Sequence, residues 1–443
     1  MKWFLRIYLN NFFFYVLSGI VTGFIVSQFI LALYHAMWLF TYIFIAFTLI
    51  DLLLLFATNQ KFEASRELPE KLSNGDENPV TVKLQSSYSF PVSIRVIDEL
   101  PFQFQQRNFS VYRLLKINGN DTFGYSVRPV ERGEYHFGSL NIYVSSPLRL
   151  LSRRFIFDKG QMVPTYPSFI QLRKYDLMAF SNRLFEYGLK KIRRLGHTME
   201  FEQIKDYVMG DDIRTINWNA TAKRNQLMVN QFQDERSQNV YMAIDKGRTM
   251  KMPFNGLSLL DYAINATLVL SNVILKKQDK AGMFAFSKKV ENRVHADRRS
   301  GQMQKVLEAL YNVQTNFFET DYGRLYADIK RNITQRSLIL LYTNFETLDG
   351  LHRQLPYLKG IAKSHLLVVV FFENTELESV RKQPAANVQE VYDKVIAEKF
   401  AFEKRLIVNE LRKYGIHAVL TTPENLTLDS INKYLEIKAR GIL

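Results

Sequence analysis

One aspartate in this chain is placed where open α/β sheets do their chemistry. Asp245 ends the apolar run Val240–Ile244 and is followed by Lys246-Gly247-Arg248-Thr249. A carboxylate at the C-terminal end of a buried strand, ahead of a glycine turn and a helix, faces the crevice where such sheets hold ligands. Asp and Thr oxygens are hard donors suited to Mg²⁺ or Mn²⁺. Ser300 and Asn344 fall in later loops expected at the same sheet edge. Asp245, Thr249, Ser300 and Asn344 therefore form the candidate metal site, and a metal-dependent hydrolase or phosphotransferase centred on Asp245 is the enzymatic reading. Against it, the set holds one carboxylate, with Lys246 and Arg248 beside it. The structural alternative is that Asp245 pairs with a local base or caps the next helix.

Other catalytic patterns are missing from the sequence. It has no GxxxxGK[ST] phosphate loop, no GxGxxG after a strand, no HExxH and no GxSxG. It has no cysteine, which excludes disulfides, thiolate metal sites and cysteine nucleophiles. The seven histidines are scattered, none paired with another at metal-ligand spacing. No cofactor is required by these motifs, and Mg²⁺ is the one candidate. The net charge of +15 comes from Lys and Arg spread along the chain. A basic surface beside a membrane accounts for it without nucleic acid, which is not an expected partner.

Upstream of Asp245 lies a polar stretch, Arg194–Met250, dense in charged and amide side chains. Gly210-Asp211-Asp212 reads as a turn whose aspartates accept from free N–H groups at the start of the next helix. The segment Ile213–Ala222 reads as that helix, with Arg214 and Trp218 four apart on one face. Arg214 can pair with Asp211, Asp212, Glu200 or Glu202. Two readings stand: a recognition surface, or a structural ion-pair network fixing the entry to the domain.

The same stretch carries Gly196, Glu200, Phe201, Lys205, Tyr207, Gly210, Asp211, Arg214, Ile216, Trp218, Thr221, Ala222, Glu235 and Asp245 in one order. In this pattern it closely resembles the bacterial family called domain of unknown function 58, with Lys223 where that family usually has Arg. The resemblance implies a von Willebrand factor A-like domain, in which an Asp-x-Ser-x-Ser loop with a later Thr and Asp forms a metal-ion-dependent adhesion site. Here Gly247 and Thr249 replace the serines, Ser300 stands for the Thr and Asn344 for the second Asp. The resemblance also implies a MoxR-type AAA+ ATPase as partner, with other membrane proteins of the same operon type, in complex assembly, maturation or envelope stress. Glu200, Gly210, Asp211, Asp212, Arg214, Trp218, Lys223 and Glu235 are the interaction candidates.

Four segments position these residues. Residues 1–59 hold two apolar runs, Phe12–Tyr34 and Ala36–Ala57, each long enough for a bilayer at about 20 helical residues. They predict a transmembrane hairpin. Lys2 and Arg6 precede it and Lys61, Arg66 and Lys71 follow, so the positive-inside rule places both termini in the cytoplasm of a bacterial inner membrane. Asp51 interrupts the second run, either as a functional intramembrane acid or as a group near the inner end of its helix that reaches headgroups or a partner. Gly19 and Gly23 form a GxxxG, which permits close helix contact.

Residues 60–166 alternate in short apolar runs between turn signals, which predicts an antiparallel, β-sandwich-like domain. Tyr135, Phe137, Leu140, Ile142 and Val144 read as a hairpin-like pair. Residues 167–239 are the family-type connector. Residues 240–443 alternate strands, at Val240–Ile244, Met283–Phe286, Leu338–Tyr342, Leu366–Phe371 and His417–Leu420, with helices, and predict a doubly wound, mostly parallel sheet. The reading that joins these features is a membrane-anchored adaptor without enzymatic activity. Its neighbours are the bilayer and an AAA+ ATPase.

Overall fold

The structure is a computed structural model that describes residues 6–56, 62–107, 109–158, 160–172, 200–209, 211, 213–233, 237–315, 317–384 and 387–442. The chain divides into two compact units, Met1–Tyr166 and Pro167–Leu443.

The first unit begins with strand β1 (Ile7–Leu9) and the helices α1 (Asn11–Ser27) and α2 (Leu31–Phe56). Within α2, Leu33–Phe56 is long and apolar enough to cross a membrane, and α1 is apolar but shorter. The turn between the helices falls at residues 28–30, so Tyr34 lies inside α2 and not at the end of the first helix. The polar pair Ser27-Gln28 marks the reversal, and not the short connection around His35 that the two runs predict. Gly23 of the GxxxG faces Met37 of α2, against whose sulfur an added Cβ would collide, so that glycine serves contact within the pair.

Ten strands follow: β2 (Phe62–Glu67), β3 (Leu72–Ser73), β4 (Asn78–Ser86), β5 (Val92–Asp98), β6 (Ser110–Leu115), β7 (Asn120–Val127), β8 (Gly133–Phe137), β9 (Leu140–Ser145), β10 (Leu151–Phe157) and β11 (Gln161–Tyr166). They form sheets ordered β1-β10-β9-β5-β6, β2-β4-β7 and β3-β11-β8. Alternation along β4 buries Val80, Val82 and Leu84, as period-2 patterning requires. Val82 and Leu84 share a core with Ile94, Val96, Ile142 and Val144 of the five-stranded sheet. The hairpin expected from Tyr135 to Val144 does not form. β8 pairs with β11, and β9 pairs with β5 and β10. Gly138-Ser139 carries the chain between sheets, held by Gly138 N–H on the Glu99 carbonyl at 2.8 Å and Ser139 N–H on the Glu99 carboxylate at 2.9 Å.

After a helical turn at residues 169–172, the described part of the second unit continues with an antiparallel pair, β12 (Glu200–Asp206) and β13 (Met228–Gln233). Between them lies the short helix α3 (Trp218–Arg224). Then come β14 (Asn239–Asp245), the two-residue strands β15 (Pro253–Phe254) and β16 (Leu257–Ser258), α4 (Leu259–Lys276), β17 (Lys280–Phe286), β18 (Val290–Asp297), α5 (Gln302–Tyr311), α6 (Tyr322–Asn332), β19 (Leu338–Tyr342), α7 (Leu348–Ser364), β20 (Leu366–Phe372), α8 (Thr375–Lys382), α9 (Val388–Lys413), β21 (His417–Thr421) and α10 (Leu426–Ala439). Six strands make one mixed sheet, ordered β18-β17-β14-β19-β20-β21, parallel except for the edge strand β18.

β14 is buried on both faces, as its continuous apolar run predicts. Val240, Met242 and Ile244 face one layer with α4, α5 and α10, while Tyr241 and Ala243 face the other with α6, α7 and α9. Helix α4 is also long and apolar enough for a bilayer, but 78% of its window is buried, which makes it a core helix. It starts at a capping box in which Ser258 and Asp261 satisfy each other's backbone N–H.

Candidate functional site

The strand order reverses between β14 and β19, and Asp245 sits at that reversal, at the C-terminal end of β14. It is 1% exposed. Its Oδ1 accepts from the Gly247 N–H at 2.8 Å and from the Thr320 hydroxyl at 2.6 Å. Its Oδ2 accepts from the Thr343 hydroxyl at 2.7 Å, and the Tyr322 hydroxyl lies 3.4 Å away. Burial pushes the Asp245 carboxyl above its usual range, opposed by the Thr320, Gly247 and Thr343 donors. Backbone bonds close the loop over it: Arg248 N–H to Phe318 O at 3.1 Å, Asp321 N–H to Ser287 O at 3.0 Å. The rim above carries exposed Phe317 and Phe318 under the ammonium groups of Lys251 and Lys288.

This arrangement revises the four-residue metal set. Ser300 lies at the opposite edge of the sheet. β18 runs antiparallel, so its last residue, Asp297, lies opposite Ala281, which in turn lies opposite Val240. That is five strand residues from Asp245, roughly 16 Å. Asn344 does lie at the correct edge, but its Oδ1 accepts from the Lys404 ammonium at 2.6 Å. Thr249 is half-buried in the 3₁₀ turn Arg248–Lys251 and bonds to none of the other three. Lys246 pairs with Glu291. Among the described residues no three His, Asp or Glu converge as a cation site. With one carboxylate, its oxygens accepting from an N–H and two hydroxyls, the set fits a divalent ion poorly. Asp245 instead ties three loops together. The alternative of a local base or helix cap is also set aside, since its partners are hydroxyls and a turn N–H.

The residues sequence reasoning missed are Thr320, Tyr322 and Thr343. They stand 75, 77 and 98 residues from Asp245, and no spacing in the sequence marks them. Thr320 supplies the hydroxyl expected of Ser300.

The connector stretch is a folded module. Asn217 N–H bonds Met228 O at 2.9 Å, and the Thr221 hydroxyl accepts from Met228 N–H at 3.0 Å. The single helix expected over 213–222 is broken. Ile213–Thr215 is a 3₁₀ turn, Ile216 bridges Val229, and Asn217 caps α3 by accepting from Ala220 N–H at 3.0 Å. Arg214 and Trp218 therefore do not share a helical face. Asp211 turns backward and does not cap that helix: it accepts from Val208 N–H and Lys205 Nζ, each at 3.0 Å. These two bonds hold its carboxyl below the usual range, the backbone donor contributing most. Lys223 is exposed in the last turn of α3. Gly210, Asp212, Glu235 and the side chains of Glu200 and Arg214 lie outside the described residues, so the expected charged network is not traced. Among its exposed side chains, which include Asp206, Lys223 and Arg224, the module presents large apolar ones: Val208 is 62% exposed, Met209 96%, Ile213 69% and Trp218 67%.

Fold and site together define a protein with a β-rich first unit and an α/β second unit, whose sheet-edge aspartate is locked by hydroxyls. Comparison with known proteins places it further. Residues 203–391 match the family described as Protein of unknown function DUF58. The "Uncharacterized protein YeaD" of Bacillus subtilis (strain 168) is 26% identical over 258 residues, 57% of this chain and 62% of that protein. The match thus spans less than two thirds of that relative's length. Over residues 203–391 the chain is similar to the DUF58 family.

Solved structures with similarity are remote. The ASH/PapD-like domain of human CEP192 has a TM-score of 0.19 and 12% identity, over 24% of this chain and 87% of that one. Proximal thread matrix protein 1 from the mussel byssus has a TM-score of 0.26 and 9% identity, over 46% and 47%. At these scores neither carries an argument.

Proposed function

We propose that this chain is a non-enzymatic adaptor, anchored by α1 and α2 in a bacterial inner membrane with both termini cytoplasmic, whose α/β unit docks a MoxR-type AAA+ ATPase or that ATPase's client. The observation that carries the docking reading is the exposed apolar surface of Val208, Met209, Ile213 and Trp218 on the motif shared with the family. Exposed large apolar side chains on a folded module suit a contact surface for another protein. The ATPase as partner rests on the family resemblance. Membrane anchoring is supported by α2 and by the basic residues flanking the pair. The six-stranded order with one antiparallel edge strand, and the aspartate ending its central first strand, support reading the unit as von Willebrand factor A-like. The enzymatic reading has one carboxylate behind it, Asp245, whose oxygens accept from Gly247, Thr320 and Thr343.

The test is co-purification from native membranes in mild detergent with ATP and Mg²⁺. A Met209→Asp, Trp218→Ala variant changes only exposed side chains and serves as the comparison. Enrichment of an AAA+ ATPase with the unaltered chain, and its loss with the variant, is the expected result. Equal recovery with both chains would remove this surface as the docking site. Absence of an ATPase from both would end the adaptor reading.

A further inference from the structure

At the same sheet edge, beyond Asn344, a cavity of about 350 Å³ opens between the ends of β19 and β20 and the helices α8 and α9. Its size lies within the range of small-molecule sites, roughly 300–1,000 Å³. Phe254, Leu259, Phe372, Leu377 and Phe400 give it apolar walls, and Lys404 of α9 reaches it from below.

Lys404 is 9% exposed. Its ammonium spends one of three donors, on Asn344 Oδ1, and lies 5.6 Å from the Phe371 ring. Among the described residues no carboxylate comes within ion-pair distance of it. Glu346 and Glu373 act on it only at longer range, from exposed positions at the cavity mouth. A buried ammonium without a paired anion carries a desolvation cost that most proteins avoid. An anion placed in the cavity would offset that cost and accept the two unspent donors.

The walls and charges narrow the ligand. An apolar lining of this extent calls for an aryl or alkyl body. Arg381 and Arg405 also line the cavity, but Arg381 is paired with Glu378 and Arg405 is exposed, so Lys404 is the one buried cation, which suits one carboxylate better than a phosphate. The carboxylates of Glu346, Glu373, Glu376 and Glu378, which also line the cavity, raise the cost of admitting a dianion. We propose that this cavity is a binding site for a small monoanionic organic carboxylate with an apolar body, its carboxylate on Lys404 and its body against Phe254, Phe372 and Phe400. This site is separate from the docking surface proposed above.

The test uses the full chain in nanodiscs and three probes of one shape: 3-phenylpropionate, its neutral amide, and the dianion phenyl phosphate. Dissociation constants are read by saturation-transfer NMR titration. The expected result is binding of 3-phenylpropionate at least tenfold tighter than either other probe. Lys404→Met should abolish that preference, leaving acid and amide equal. Leu377→Trp, on the half-buried face of α8, should fill the cavity and remove binding of all three while Lys404 stays in place. If Lys404→Met fails to fold, Leu377→Trp decides. Equal binding of acid and amide by the unaltered chain would overturn the proposal. So would no binding of any probe, a preference that survives Lys404→Met, or binding that survives Leu377→Trp.

Discussion

Asp51, five residues before the end of α2, receives the backbone N–H of Leu151 at 2.8 Å, where β10 begins. It also receives Leu150 N–H at 3.0 Å and the Ser146 hydroxyl, and it is fully buried. The other helix reaches the same place: Asn10, at the start of α1, donates from its side chain to Ser145 Oγ, Arg149 O and Leu151 O. Both outer ends of the helix pair are thus fastened to one turn, Ser145–Ser152. Asp51 stands 20 residues past Leu31, about 30 Å along the helix. It lies at the end of the apolar length and not in its middle, and the partner it reaches is the β-rich part of its own unit.

Asp51→Ala therefore leaves two backbone donors and a hydroxyl without an acceptor. The expected loss is on the order of 3 kcal/mol, since each orphaned buried donor costs about 1–3 kcal/mol. Hydrogen exchange at the Leu150 and Leu151 amides measures it. Faster exchange there, with the β4 and β5 amides unchanged, is expected. Unaltered protection at both amides would show that Asp51 is not the fastening.

Replacing Asp245 with Asn keeps one acceptor and removes the charge. Burial raises the carboxyl's folded-state pKa above its unfolded value. Between those two values the folded chain holds a proton that the unfolded chain has lost, so stability falls as pH rises through that window. The unaltered protein should lose stability relative to Asp245→Asn on going from acid to neutral pH. Thermal unfolding of the two proteins across pH 3–8 reads this directly, and parallel curves would refute it.

Gly247 has an ordinary φ of −72°, so its requirement is space and not backbone freedom. A Cβ there would collide with Thr320 Oγ1. Gly247→Ala should cost about 1–3 kcal/mol, the usual range for overpacking. Adding Thr320→Ala to Gly247→Ala should recover part of that loss, which a double-mutant cycle measures. An additive cycle would mean that the clash is not at Thr320.

Lys404 gives a window at alkaline pH. Burial lowers its pKa from 10.5 to about 8. Between these values the unfolded chain holds a proton that the folded chain lacks, so stability rises with pH. Below pH 8 both states are protonated and the buried ammonium weighs on the fold in full. Relative to Lys404→Met, the unaltered protein should gain on the order of 3 kcal/mol between pH 8 and 10.5. Denaturant titrations at the two ends of the window test it, and an identical slope in the variant would count against the buried ammonium.

The sequence by itself determined the elements whose patterns are local. Continuous apolar runs marked β14, β19 and β20, since a strand covered on both faces needs no polar alternation. Period-2 alternation marked β4 and β9 but was silent on their partners. Hydropathy found the helix pair but misplaced its turn, because the polar Ser27-Gln28 at the turn is too short a break to stand out inside a long apolar run. The short helix α8 and the pair β12–β13 were not legible, being largely polar segments whose hydrogen bonds and contacts hold them. Tertiary structure alone decided the sites. Asp245 was visible as a strand-ending acid, but Thr320 and Thr343 come from loops 75 and 98 residues away. The direction of β18 put Ser300 at the wrong edge. Lys404, an ordinary lysine in a charged helix, became a buried ammonium because α9 packs across the ends of β19 and β20. Local periodicity reports which face of an element avoids water. Which side chains meet at the sheet edge depends on strand order and direction, and these are set by packing among segments far apart in the chain.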